Sequence, residues 1–75
     1  MTKKEEFISD YAKAIETGYH YLIVAVKDLL TEDTEIITNY YATVPNKMKY
    51  YFDYYNDDLQ LIRSTDIRIY KWMFA

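Results

Sequence analysis

Apolar or aromatic residues fill every position from 21 to 26, so an extended chain would present apolar side chains on both of its faces there. A strand with two apolar faces has to be covered on both sides. We therefore interpret residues 19–27 as the central strand of a small sheet, with helices on one face and something else on the other.

A second pattern, with apolar residues every three or four positions, predicts a helix over residues 3–17. The apolar stripe of this helix consists of Phe7, Ile8, Tyr11, Ala12, Ala14 and Ile15. Thr2 and Glu5 have the spacing of a capping box at the start of the helix. Gly18, the only glycine of the chain, stands where a left-handed residue would end it.

After a polar break at residues 28–33, β-branched and aromatic residues return at positions 34–41 and predict a second strand. The short connection favours antiparallel pairing with the first strand. Leu29 and Leu30 interrupt the polar break. We expect their side chains to reach the core.

The single proline suits the first turn of another helix, with Thr43 or Val44 near its cap. The helical period then continues over residues 46–58. The predicted core-facing stripe is Met48, Tyr51, Phe52, Tyr55 and Leu59. Tyr50 and Tyr54 form a second edge, so either this helix is covered on two sides or these two tyrosines are exposed.

The end of the chain predicts a third strand over residues 66–74, where side chains alternate. One face of it carries Ile67, Ile69 and Met73, and the other carries Arg68, Tyr70, Trp72 and Phe74. Before it, Leu59, Leu61 and Ile62 are expected under the sheet edge. The predicted fold class is α+β: one two-layer α-β-β-α-β domain over residues 1–75, with a three-stranded antiparallel sheet and two helices on one face.

Ten tyrosines, three phenylalanines and one tryptophan are many for 75 residues, and Tyr and Trp are enriched at protein interfaces. The net charge of −3 is not the basic footprint of a nucleic-acid binder. The chain has no cysteine, so a disulfide or a thiolate metal cluster is excluded. Its longest apolar run is far shorter than a membrane span, and we expect a cytoplasmic protein.

Two helices on one face leave the other face of the predicted sheet bare. We expect Tyr21, Ile23 and Ala25 to point there, beside Tyr70 and Trp72. Such side chains either fill out a thin core or form a docking surface, first of all for a second copy in a homodimer. The predicted partner-binding residues are Tyr21, Tyr50, Tyr54, Arg68, Tyr70 and Trp72.

Few residues suit catalysis, and we predict a protein that is not an enzyme and takes no cofactor. His20 is the only histidine, and a nucleophilic triad would have to be assembled from it with Ser64 and Asp66. A histidine beside a helix end is more often structural or solvated. One glycine is too few for a phosphate-binding loop.

Two acidic groups are weaker candidates for cation binding or for imitating a nucleic acid. They are Glu32, Asp33 and Glu35, and Asp53, Asp57 and Asp58. The first group lacks the ligand spacing and central glycine of a calcium loop, and the second places Asp53 and Asp57 on one helical face, where acids are usually only solvated, so we predict no metal. An acidic nucleic-acid mimic stays an alternative. So does a single-stranded nucleic-acid binder that stacks bases on Tyr70 and Trp72.

Several segments together resemble a group of small proteins encoded by phages and prophages of Gram-positive bacteria. The resemblance is carried by residues 21–27, 35–39, 49–51 and 55–58, by Leu61, and by the spacing of Ile67, Ile69 and Met73. Small early phage proteins often bind and redirect a host protein. The resemblance therefore implies a protein–protein interaction module that modulates or inhibits a host bacterial protein.

Overall fold

The computed structural model describes residues 1–40 and 44–75. Its elements, in chain order, are α1 (Lys3–Thr17), β1 (Leu22–Asp28), β2 (Thr34–Asn39), α2 (Val44–Tyr54), β3 (Gln60–Leu61) and β4 (Ser64–Phe74). The strands form one antiparallel sheet in the order β2-β1-β4-β3. The α+β class is confirmed, and the predicted three strands are corrected to four because β3 pairs with β4. The proposed cap at Thr43 and the end of the second strand at residue 41 lie outside the described residues.

Helix α1 begins and ends where its local signals predict. Thr2 Oγ1 accepts a hydrogen bond from Glu5 N, and the Glu5 carboxylate accepts one from Thr2 N, both at 3.1 Å. Gly18 has φ 89°, which is the left-handed conformation that closes a helix. Both ends of α1 are therefore fixed by interactions within the segment.

The hydrophobic core lies between the two helices and one face of the sheet. Phe7 is at its centre and meets the rings of Tyr11, Tyr51 and Trp72 edge-on, with centroids 5.1–5.8 Å apart. The buried members of the core cluster are Phe7, Tyr11, Leu22, Val24, Val26, Val44, Tyr51, Tyr55, Leu59 and Ile69. The predicted central strand β1 thus turns Leu22, Val24 and Val26 towards the helices.

A β-bulge in β4 changes which side chains face the core. Ala25 is opposite Lys71 and Val26 is opposite Ile69, so Tyr70 is an extra residue in β4. The alternation of side chains therefore shifts by one after Ile69. Ile67, Ile69, Trp72 and Phe74 all pack against the core, whereas the predicted alternation had separated the last two from the first two.

Three further predictions of burial are wrong. Leu29 and Leu30 are exposed because the Asp28 carboxylate accepts hydrogen bonds from the backbone N–H of Leu30 and Thr31, which holds a tight turn with the leucines outside it. Phe52 is also exposed, with Lys4 Nζ lying 4.4 Å from its ring centroid. Leu59 is buried as predicted, but Ile62 is exposed.

Candidate functional site

The sheet face opposite the helices has no described element above it. The strand register and the alternation of side chains define its members. We call this surface the open face; it consists of Tyr21, Ile23, Ala25, Lys27, Thr34, Ile36, Thr38, Gln60, Asp66, Arg68, Lys71 and Met73. The predicted orientation of Tyr21, Ile23 and Ala25 towards it agrees with the inward burial of the intervening Leu22 and Val24.

One end of the open face is apolar. Ile23 lies opposite Met73 on one side and Thr38 on the other, and Ile36 lies beside Ala25. Tyr21 contacts the ring of Tyr40, the residue after β2, with centroids 5.8 Å apart. The exposed Ile36 and Met73 flank the half-buried Ile23 of the middle strand, and with the two tyrosines they form one contiguous surface.

The other end of the open face is basic. Lys27 lies directly opposite Arg68, and Lys71 lies opposite Ala25 one step further along β4. Because side chains alternate along a strand, Asp28 and Glu35 point to the opposite side of the sheet. Asp66, near the start of β4, is the acidic residue of these strands that points to the open face. A chain with a net charge of −3 therefore gathers cations on one surface.

Arg68 has an unsatisfied group within this basic end. Its Nε is shielded from solvent and has no hydrogen-bond partner among residues 1–40 and 44–75. Like charges directly across two strands repel each other, and the Lys27–Arg68 pair has that arrangement. An acidic group placed over this pair would relieve the repulsion.

The six predicted partner-binding residues do not form one surface. Tyr21 and Arg68 both belong to the open face, but they lie at its opposite ends. Tyr50 and Tyr54 lie on the exposed side of α2, with ring centroids 5.0 Å apart. Lys47 and Arg63 lie over these two rings, so the α2 tyrosines form a separate aromatic and basic surface.

Tyr70 and Trp72 are not on the open face, which corrects their predicted position. Trp72 points towards α1, where its Nε1 donates a hydrogen bond of 3.0 Å to Asp10 Oδ2. Tyr70, the extra residue of the bulge, is exposed beside Glu6 and Asp10. The bulge at Tyr70 is the cause of both differences.

Sequence reasoning missed Lys27, Ile36, Lys71 and Met73 as members of the surface. A signal for the last two exists in the sequence. The apolar positions of β4 run Ile69 and then Trp72, an interval of three where an unbroken strand has two. That interval indicates an extra residue and reverses the faces after it.

A second apolar region lies on the outside of the helices. Phe52, Ile8 and Met48 line a shallow groove between α1 and α2. The start of α1 extends this groove, with Lys4 over the Phe52 ring. Lys4 and Lys49 also line this groove, and its Ile8 and Met48 are only partly exposed, so it is the weaker candidate for docking.

The residues considered for catalysis and metal binding are separated in the structure. His20 lies beside the end of β4, since its N–H donates to Ala75 O at 2.7 Å, whereas Ser64 lies at the start of that strand. The triad of His20, Ser64 and Asp66 is therefore not assembled. Asp53 pairs with Lys49. In the described ranges no three His, Cys, Asp or Glu side chains converge as a metal site.

Within the part of the chain that the structure describes, no helix is both long and apolar enough to cross a bilayer. Comparison of the chain with protein-family models, with curated proteins and with solved structures finds no match.

Proposed function

We propose that this protein is a small interaction module that binds another protein through its open face. The observation that carries the proposal is the exposure of Ile36 and Met73 beside the central Ile23, with no described element over them. Contiguous exposed apolar surface of this kind marks interaction sites in small proteins. The two tyrosines at its end supply side chains of the type that dominates binding energy.

The charges of the open face define the chemistry of the partner. Lys27, Arg68 and Lys71 would remain unpaired if an apolar surface covered them, and burying unpaired charge is unfavourable. A partner segment with apolar residues followed by Asp or Glu would match both ends. In line with the sequence resemblance, we place this partner among host bacterial proteins that a phage protein would modulate or inhibit.

The same cations disfavour the open face as a contact between two copies. Face-to-face association would bring two basic ends into one interface with few acids to pair them. The open face is thus assigned to a different protein and not to self-association.

The proposal is tested by capture from a bacterial lysate with matched baits. Met73→Asp changes the open face, and Ile62→Asp makes the same change at a residue outside it; the two side chains are 56% and 57% exposed. A partner retained by the wild type and by Ile62→Asp but lost by Met73→Asp is the expected result. Equal retention by both variants would place the binding surface elsewhere.

Single-stranded nucleic acid is the second candidate, because Lys27, Arg68 and Lys71 share a sheet face with two tyrosines. It is tested by titrating a fluorescent single-stranded oligonucleotide at several salt concentrations. Nucleic-acid binding would weaken steeply with salt and with Lys71→Glu. Absence of binding at low salt removes this candidate and leaves the protein partner.

A further inference from the structure

The outer edge of β2 has free backbone groups. Asp28 N donates to Asp33 O at 2.9 Å, so these two residues form a hydrogen-bonded pair. Two positions further along the strands, the next such pair is Val26 with Glu35. Hydrogen-bonded pairs alternate along an antiparallel ladder. The backbone groups of Glu35 and Ile37 therefore face β1, and those of Thr34, Ile36 and Thr38 face outwards.

The two edges of the sheet differ in how they are protected. On one side, β3 is only two residues long, and the exposed remainder of β4 carries a bulge at Tyr70 followed by Lys71. Short strands, bulges and lysines are the features that prevent strands from pairing with other chains. β2 has six residues, no lysine, no proline and no bulge, and nothing in the described part of the chain lies along its outer edge.

The sequence of β2 is self-complementary. Its open-face side chains are Thr34, Ile36 and Thr38, which read the same in both directions about Ile36. Ile36 is also 61% exposed. We propose that two copies of this chain pair antiparallel through β2, with Ile36 opposite its own copy, and so join their sheets into one.

This register suits the open-face side chains and the outward backbone groups of β2. Thr34 lies opposite Thr38 of the second copy, and threonine pairs and β-branched pairs are both favourable across strands. The outward backbone groups of three residues in each copy form about six hydrogen bonds. A pairing centred on Glu35 would instead place two carboxylates opposite each other. A pairing centred on Ile37 would place Ile36 opposite Thr38 of the second copy.

The dimer is independent of the function proposed for the open face. A two-fold axis through Ile36 runs perpendicular to the sheet and leaves both open faces on the same side. The two surfaces would then bind two partner segments, or one partner at two places, with an avidity that a single copy lacks.

The first test is the mass in solution, by light scattering or sedimentation. The expected wild-type species is a dimer of the 9.1 kDa chain that dissociates on dilution. Ile36→Pro removes an outward N–H that β1 does not use, so the fold tolerates it and the dimer is lost. Ile36→Thr keeps the N–H and retains the dimer. If the proline variant is unfolded by circular dichroism, Ile36→Lys takes its place.

The second test fixes the register. The chain has no cysteine, so Ile36→Cys introduces a single thiol. Opposed residues of a hydrogen-bonded pair have Cα atoms about 5.5 Å apart, which suits a disulfide. We expect rapid oxidation of Ile36→Cys to a covalent dimer and slower oxidation of Leu30→Cys, an exposed control. A monomeric wild type, or a dimer that survives both Ile36→Pro and Ile36→Lys, overturns the proposal.

Discussion

Trp72 Nε1 donates a hydrogen bond to Asp10 Oδ2 across 3.0 Å, and this contact joins the last strand to the first helix. The Trp72 ring meets Phe7 edge-on beneath it, with centroids 5.1 Å apart. The tryptophan is therefore a structural residue that closes one side of the core. This explains why the exposed aromatic surface lies elsewhere on the sheet.

Removing the Asp10 carboxylate should destabilise the fold. Asp10→Ala leaves a partly buried indole N–H without its charged acceptor, and we expect the free energy of unfolding to fall by about 1–3 kcal/mol. Asp10→Asn keeps an acceptor and should lose less. Urea unfolding followed by the fluorescence of the single tryptophan measures both changes.

Glu16→Ala is the control for Asp10→Ala, because it removes an exposed acid from the same helix. Its expected effect is within about 0.5 kcal/mol. Equal stabilities for the Asp10→Ala and Glu16→Ala variants would show that the bond to Trp72 contributes nothing.

A buried polar pair couples β2 to α2. Asn39 Nδ2 donates to Tyr51 Oη at 3.0 Å, and both residues are buried. We expect Asn39→Ala and Tyr51→Phe each to reduce the free energy of unfolding by about 1–3 kcal/mol, because each leaves a buried polar group with fewer partners. The double variant should lose less than the two separate losses combined. Strict additivity in urea unfolding would mean that the two side chains do not interact.

Three buried tyrosines should limit stability at alkaline pH. Burial raises the pKa of Tyr55 to about 12 and also raises the pKa values of Tyr11 and Tyr51. The fold therefore favours the protonated phenols, while in the unfolded chain they ionise near pH 10. The stabilisation that these protonated tyrosines give to the fold is complete below about pH 10 and is lost as the pH rises through their folded pKa values.

Urea unfolding between pH 8 and pH 12 tests this dependence. We expect the free energy of unfolding to be flat up to about pH 10 and then to fall by as much as about 1.4 kcal/mol per pH unit for each of the three tyrosines. Tyr55→Phe should make the fall shallower. Stability that holds unchanged to pH 12 would contradict the burial of these phenols.

The sequence was informative wherever local interactions decide the structure. Helix α1 could be placed to the residue because Thr2, Glu5 and Gly18 act within their own segment. Strand β1 could be identified because both of its faces are apolar. Neither inference needs a partner from a distant part of the chain.

The sequence was less informative where one residue changes the geometry of those after it. Tyr70 is an extra residue in β4, and it decides which side of the sheet Trp72 and Met73 face. β3 has two residues, too few for any periodicity, and Leu59 just before it adopts a positive φ of 61° that its residue type does not indicate. The basic end of the open face could likewise not be predicted, because Lys27 and Arg68 are far apart in sequence and become neighbours only through the pairing of β1 with β4.

Lysine footprinting of the bound protein tests the central claim most directly. Lys27 and Lys71 report on the open face, Lys47 reports on the tyrosines of α2, and Lys13 on α1 is a reference. Acetylation rates are compared by mass spectrometry between the free protein and its complex with the captured partner. Protection of Lys27 and Lys71, with Lys47 and Lys13 unchanged, is the predicted result. Protection of Lys47 with Lys27 and Lys71 still reactive would contradict the account.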